Sequence, residues 1–141
     1  VINRGEPAVM VCHWPGIYFN GEKAGFNILK EVKRRLDQKY TNLRWMKLSE
    51  IARYWAAREL TTIKAEKSKV ILKAPFSAPG FTVRTDSAAR SVSVKNPKSE
   101  IIPLARIKDP SLLKSNTWFA DKSGSVICFD LDKGVTEILV K

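Results

Sequence analysis

The spacing of apolar positions changes near residue 61. Before it, short apolar bursts alternate with repeats of three and four; after it, the repeat is two. AVMVCH (residues 8–13) is almost continuously apolar, the pattern of a strand buried on both faces of a parallel sheet. WPGIYFNGEKAG follows as a loop broken by Gly16, Gly21 and Gly25. Phe26, Leu29, Val32, Leu36 and Tyr40 then predict a helix over about 26–40 with one apolar stripe. NLRWMK (42–47) reads as a second short strand. LSEIARYWAAREL (48–60) reads as a second helix, with Leu48, Ile51, Ala52 and Trp55 on its inner side. Ser49 stands where a cap is needed, and Glu50 suits the positive end of that helix.

The order β-α-β-α implies parallel strands joined by right-handed crossovers. Two such strands cannot cover themselves, so residues 1–60 read as the closing part of a larger α/β domain whose earlier strands lie elsewhere. From residue 61 the runs TTIKAEK, KVILKA, FTVRT, SVSVK, EIIPLAR, TWFA, SVICFD and TEILVK are short, β-branched and often alternating. Separated by Pro, Gly, Asn, Asp and Ser clusters, they predict an antiparallel β-sandwich over 61–141. DKSGS (121–125) and LDKG (131–134) read as hairpin turns. The expected class is α+β, an incomplete β-α-β-α unit (1–60) joined to the sandwich. The junction near 60–63 has no linker composition, which predicts that the halves pack together.

Charge changes this picture less than its size suggests. The chain of 141 residues carries a net +11, which brings a polyanion partner to mind. Residues 1–60 hold 11 Lys/Arg against 6 Asp/Glu, and residues 61–141 hold 14 against 8, so the excess is spread evenly. The densest cluster, KEVKRRLDQK (30–39), lies on the predicted helix, where it makes a solvated face with Glu31 and Arg35 paired at i,i+4. No helix-turn-helix, zinc, RNA-recognition or glycine-loop signature accompanies it, which argues against a nucleic-acid partner. No run approaches the roughly 20 apolar residues of a membrane helix. VINRGEP at the start has no signal-peptide pattern.

Cys12 and Cys128 make neither a disulfide framework nor a zinc motif. His13 is the single histidine. Neighbours on a strand point to opposite faces, so Cys12 and His13 do not read as a nucleophile–base pair. Imidazole is the side chain that releases a proton near neutral pH, so His13 is the one candidate for general acid–base work. From the residues alone it reads more readily as a strand-end histidine satisfying a backbone carbonyl.

MVCHW, GFNILKEVKRRLDQKY and LRWMKLSEIARYW, in this order and spacing, resemble the C-terminal end of a polysaccharide deacetylase domain, a carbohydrate-esterase type with a distorted (β/α) barrel. The resemblance covers residues 8–58 or so and leaves the sandwich as an appended module. It implies that 1–60 is the C-terminal portion of a barrel-type α/β domain. In that domain His13 would act as general acid to the leaving group, at the C-terminal end of a barrel strand. Val11 stands where the family usually has a leucine against the acetyl methyl. Trp14, Tyr18 and Phe19 would wall the sugar site, or would be ordinary packing over a barrel end. The family holds a divalent metal of zinc type with an Asp and two His. This chain has no second histidine and no H-x-x-x-H, so it offers no metal site or other cofactor, and a metal belongs only to the parent enzyme. The resemblance further implies an oligosaccharide or polysaccharide substrate, an extracellular or periplasmic parent, and, for this chain, either an N-terminal barrel partner or self-association.

Two other readings stay open: a basic polyanion- or nucleic-acid-binding protein driven by the +11 charge, and a carbohydrate-binding or structural β-sandwich module. Trp118 and Phe81 would stack on sugar rings if exposed. Trp118 alternates with Phe119, so one of that pair faces outward unless Trp118 closes the core.

Overall fold

A computed structural model of the chain describes residues 1–4, 6–41 and 43–141. It divides into two compact units, Val1–Ile51 and Ala52–Lys141. Helices and two sheets are both present, an α+β class without a closed barrel.

In the first unit a one-turn helix α1 (Trp14–Ile17) precedes a long helix α2 (Ala24–Lys39), and α3 (Leu48–Leu60) begins before the unit ends. The stripe Phe26, Leu29, Val32, Leu36 and Tyr40 is the half-buried side of α2, as its spacing predicts. Opposite the stripe Glu31 accepts hydrogen bonds from Arg34 and Arg35, and at the stripe's margin Lys33 binds Asp37. Trp45 Nε1 donates to Asp37 Oδ1 at 3.0 Å, which lays the segment after α2 back along it.

The two strands expected here are not formed. Among the described residues, 8–13 belong to no strand and have no strand partner, and residues 43–47 are irregular; Asn42 lies outside the described residues. The physical reason is pairing. An apolar, β-branched run is suited to a sheet, but a strand exists only where a neighbour accepts its backbone hydrogen bonds. Among the described residues of Val1–Ile51 none is buried, and the unit is not a β-α-β-α layer.

The second unit is a sandwich of nine strands: β1 (Thr62–Ala65), β2 (Lys69–Ala74), β3 (Ala78–Thr85), β4 (Val92–Lys95), β5 (Ile101–Pro103), β6 (Ala105–Arg106), β7 (Thr117–Asp121), β8 (Gly124–Leu131) and β9 (Gly134–Val140). One sheet has the order β1-β2-β9-β4-β5, the other β3-β8-β7-β6. All eight predicted runs contribute. EIIPLAR contributes twice, because β5 belongs to one sheet and β6 to the other, with Leu104 buried at the crossing. β6 pairs with β7 in parallel, so the sandwich is antiparallel except at this short pair.

DKSGS closes the β7–β8 hairpin, with Asp121 opposite Gly124. Gly124 has φ +133°, and a Cβ there would lie 1.8 Å from the Thr85 carbonyl oxygen. LDKG is not a hairpin. β8 and β9 lie in different sheets, and the segment carries the chain from one to the other. Leu72, Phe81, Trp118, Ile127, Phe129, Leu131 and Ile138 fill the space between the sheets. Each such side chain contributes about 1.5–3 kcal/mol of burial.

The part of α3 within this unit presents Tyr54 and Ala57 inward. Ala57 is fully buried, and the Tyr54 ring lies 5.8 Å from that of Phe81. The predicted inner side is therefore corrected. Leu48, Ala52 and Trp55 are exposed, and of that set only Ile51 is half-buried. A small residue permits close approach, and on α3 the position that meets the core is Ala57 rather than Trp55.

Candidate functional site

His13 precedes α1 in an extended conformation (φ −89°, ψ 148°), and its carbonyl accepts from Gly16 N at 2.9 Å. Its side chain makes no capping bond and is exposed. Pro15 fits the start of the helix, where its missing N–H is not needed. One turn on, Tyr18 N donates to Trp14 O at 3.0 Å, and the rings of Trp14 and Tyr18 lie 4.7 Å apart. Tyr18 stacks in turn on Phe26 of α2, with centroids 6.0 Å apart.

Phe19 and Glu22 exchange backbone bonds of 3.2 and 2.8 Å around Asn20 and Gly21, both at positive φ. This is the Asn-Gly signature of a type I′ turn. Phe19 itself is exposed.

Of the residues proposed to form a sugar site, the structure brings Trp14 and Tyr18 together beside His13 in sequence. It leaves Val11 82% exposed and Trp14 71% exposed. With no strand over 8–13, no strand face is shared by Val11 and His13. Cys12 is exposed and Cys128 is buried. Among the described residues no group of three or more His, Cys, Asp or Glu stands close enough to hold a metal ion. With one histidine in the chain, the residues present do not supply the Asp and two His by which the resembled family holds its metal.

Trp118 and Phe81 are both core residues of the sandwich. Trp118 Nε1 donates to the Leu104 carbonyl at 3.3 Å, and Arg106 lies over the ring at 5.2 Å. Neither aromatic is available to stack on a sugar.

The second unit also contains a cleft of about 790 Å³ that sequence reasoning did not find. It lies between β1, the β1–β2 turn and β3, with Tyr54 and Arg58 of α3 along it. Ile63, Val70, Phe81, Val83 and Val140 are its apolar residues; Lys67, Lys69, Arg84, Glu66 and Asp86 are charged. Arg84 Nη2 donates to both carboxylate oxygens of Asp121, at 3.1 and 3.2 Å, and also contacts Ser123 Oγ. The Ser123 hydroxyl and backbone N–H, followed by the Arg84 charge, hold the Asp121 carboxyl below its usual range. Nothing in the spacing of the sequence marks this cleft, because the division into sheets of five and four strands appears only in the fold.

Among the described residues no helix is long and apolar enough to cross a membrane. No protein-family model matches the chain, and neither a curated protein nor a solved structure does.

Proposed function

We propose that residues 1–60 form the closing part of a carbohydrate-active hydrolase of polysaccharide deacetylase type, and that residues 61–141 are its appended β-sandwich. In this reading His13 is the proton donor to the leaving group. Trp14 and Tyr18 flank the sugar, and Val11 packs against the acyl methyl. The observation that carries the reading is the state of residues 8–13. This apolar run ends at the only histidine, has no strand partner among the described residues, and leaves Val9, Met10 and Val11 exposed. A segment of that composition gains most from insertion into a sheet, and at a sheet's C-terminal edge its terminal histidine would meet substrate.

The metal that such chemistry uses would be held by residues outside this chain. The chain alone is accordingly inactive. The test is the coding sequence upstream of Val1 and the protein it encodes. An Asp-Asp pair and an H-x-x-x-H pair are expected within about 200 residues, the size of a barrel domain. In the protein so extended, His13→Ala lowers turnover of acetylated chito-oligosaccharide by about 10²–10⁴, the usual contribution of a general acid. Absence of the motifs, or unchanged turnover in a folded variant, overturns the reading.

A further inference from the structure

We propose that Asn20 is a site of spontaneous covalent modification: the Gly21 backbone nitrogen displaces its side-chain amide, and the isoaspartyl product loosens the tie between α1 and α2. This goes beyond the hydrolase reading and does not depend on it, since the chemistry needs only the turn and water.

Three observations converge. First, the nucleophile is free. Both backbone bonds across the turn belong to Phe19 and Glu22, and among the described residues the Gly21 N–H donates to nothing. Second, the approach to it is open. Asn20 and Gly21 are exposed, and a Cβ on Gly21 would meet no atom beyond its chain neighbours within 4 Å. The Asn20 amide makes no hydrogen bond among the described residues, so nothing holds it away from that nitrogen. Third, every other described asparagine is barred. Arg4 N, which follows Asn3, donates to Val1 O at 2.9 Å, and Thr117 N, which follows Asn116, donates to Lys114 O at 3.1 Å. Asn27 lies inside α2, where the next N–H is spent in the helix. Asn96 is followed by Pro97, which has no N–H, and its side chain is held by Glu100 and Lys98.

The reaction balances without oxidant or cofactor. The Gly21 nitrogen gives its proton to solvent base and bonds to Asn20 Cγ. The Cγ–Nδ2 bond breaks, and Nδ2 takes up a proton and leaves as ammonia. Water then opens the succinimide ring at either carbonyl. Opening at Cγ gives aspartate with the main chain unchanged. Opening at the main-chain carbonyl gives isoaspartate, whose main chain runs through Cβ and Cγ and is longer by a methylene. Asp-Gly suits a type I′ turn as Asn-Gly does. The longer main chain does not, because it cannot keep both the 3.2 and the 2.8 Å bonds between Phe19 and Glu22. Those bonds close the connection from Tyr18 to α2, so isoaspartate frees the Trp14–Tyr18–Phe26 stack and adds a negative charge beside it.

The experiment stores the 141-residue chain in oxygen-18 water at mildly alkaline pH and physiological temperature, with peptide mass spectrometry and near-ultraviolet circular dichroism over time. The peptide holding Asn20 should convert to labelled aspartyl and isoaspartyl forms, faster at higher pH, while Asn3, Asn27, Asn96 and Asn116 persist. The aromatic signal should fall with the isoaspartyl fraction. Asn20→Gly, which keeps a turn sequence suited to type I′, should lose both the products and the drift. Freshly made Asn20→Asp should match the unmodified spectrum. Persistence of Asn20, equal loss at Asn27 or Asn116, or aspartyl product without isoaspartyl overturns the site. An aromatic signal unchanged by accumulated isoaspartate overturns the loosening of α1 from α2.

Discussion

The carbonyl oxygen of Gly16 occupies the space that a side chain on Gly25 would fill: a Cβ there would sit 1.8 Å away. This contact brings α1 against α2, and the Trp14–Tyr18–Phe26 stack is built around it. Gly25→Ala should push the helices apart and reduce the near-ultraviolet circular dichroism of the aromatic rings. Overpacking of this kind costs about 1–3 kcal/mol. Gly16→Ala, whose Cβ meets nothing within 4 Å, is the control and should preserve the signal. Equal spectra for the two variants would refute the close approach.

Hydrogen bonds from Arg34, then Arg35, hold the Glu31 carboxyl at about 2, below its ordinary 4.5. A carboxylate depressed on folding stabilises fully above its unfolded value and loses that contribution as pH falls through the folded one. The helicity contributed by this cluster should therefore decline between pH 4.5 and about 2. Glu31→Gln should remove that part of the titration. About 1 M salt should shrink it, because the groups are exposed and screened. An unchanged acid titration in Glu31→Gln would show the cluster to be energetically idle.

Thr136 on β9 is buried, and its hydroxyl has no hydrogen-bond partner among the described residues. Replacing a buried unpaired hydroxyl by a methyl removes a desolvation penalty of about 1–3 kcal/mol. Thr136→Val should raise the urea midpoint of the sandwich. Thr117→Val should lower it, because the Thr117 hydroxyl donates to Lys114 O at 2.6 Å and accepts from Lys114 N at 3.0 Å. Destabilisation by Thr136→Val would reveal a partner for that oxygen.

The first unit should not remain monodisperse on its own terms. Val9, Met10, Val11, Trp14, Phe19, Ile28, Trp45, Met46 and Leu48 are all exposed. Contiguous exposed apolar surface beyond a few hundred Å² is unusual on soluble monomers. Light scattering on the purified chain should show self-association, with binding of an apolar dye. Val9→Lys combined with Val11→Lys should reduce both. A clean monomer without dye binding would mean that this surface is covered in solution.

The periodic parts of the fold were legible because side-chain spacing and backbone geometry agree there. The α2 stripe and the eight β runs follow from repeats of 3.6 and 2. What spacing cannot carry is partnership. Residues 8–13 have strand composition but no neighbour to pair with. LDKG has turn composition, yet it joins two sheets, because Gly134 at φ +117° turns the chain equally well in either setting. The inner side of α3 was misjudged because Trp55 outweighs Ala57 in hydrophobicity, while close packing favours the smaller residue. At the candidate site, His13 and its aromatic neighbours could be named from their succession in the chain. The cleft at β3 could not, since its members come from α3, β1, β2, β3 and β9 and meet only in space.

The position of β9 has a consequence for synthesis. β9 lies in the middle of its sheet, with β2 on one side and β4 on the other, although it is made after all eight other strands. Until residues 134–140 leave the ribosome, the β1–β2 and β4–β5 pairs have nothing to join them. Their pairing spans a long stretch of chain, and non-local pairing of this kind is slow. The sandwich must therefore close after translation has passed it, and a nascent chain stalled before Gly134 would present two unfinished sheet halves to chaperones.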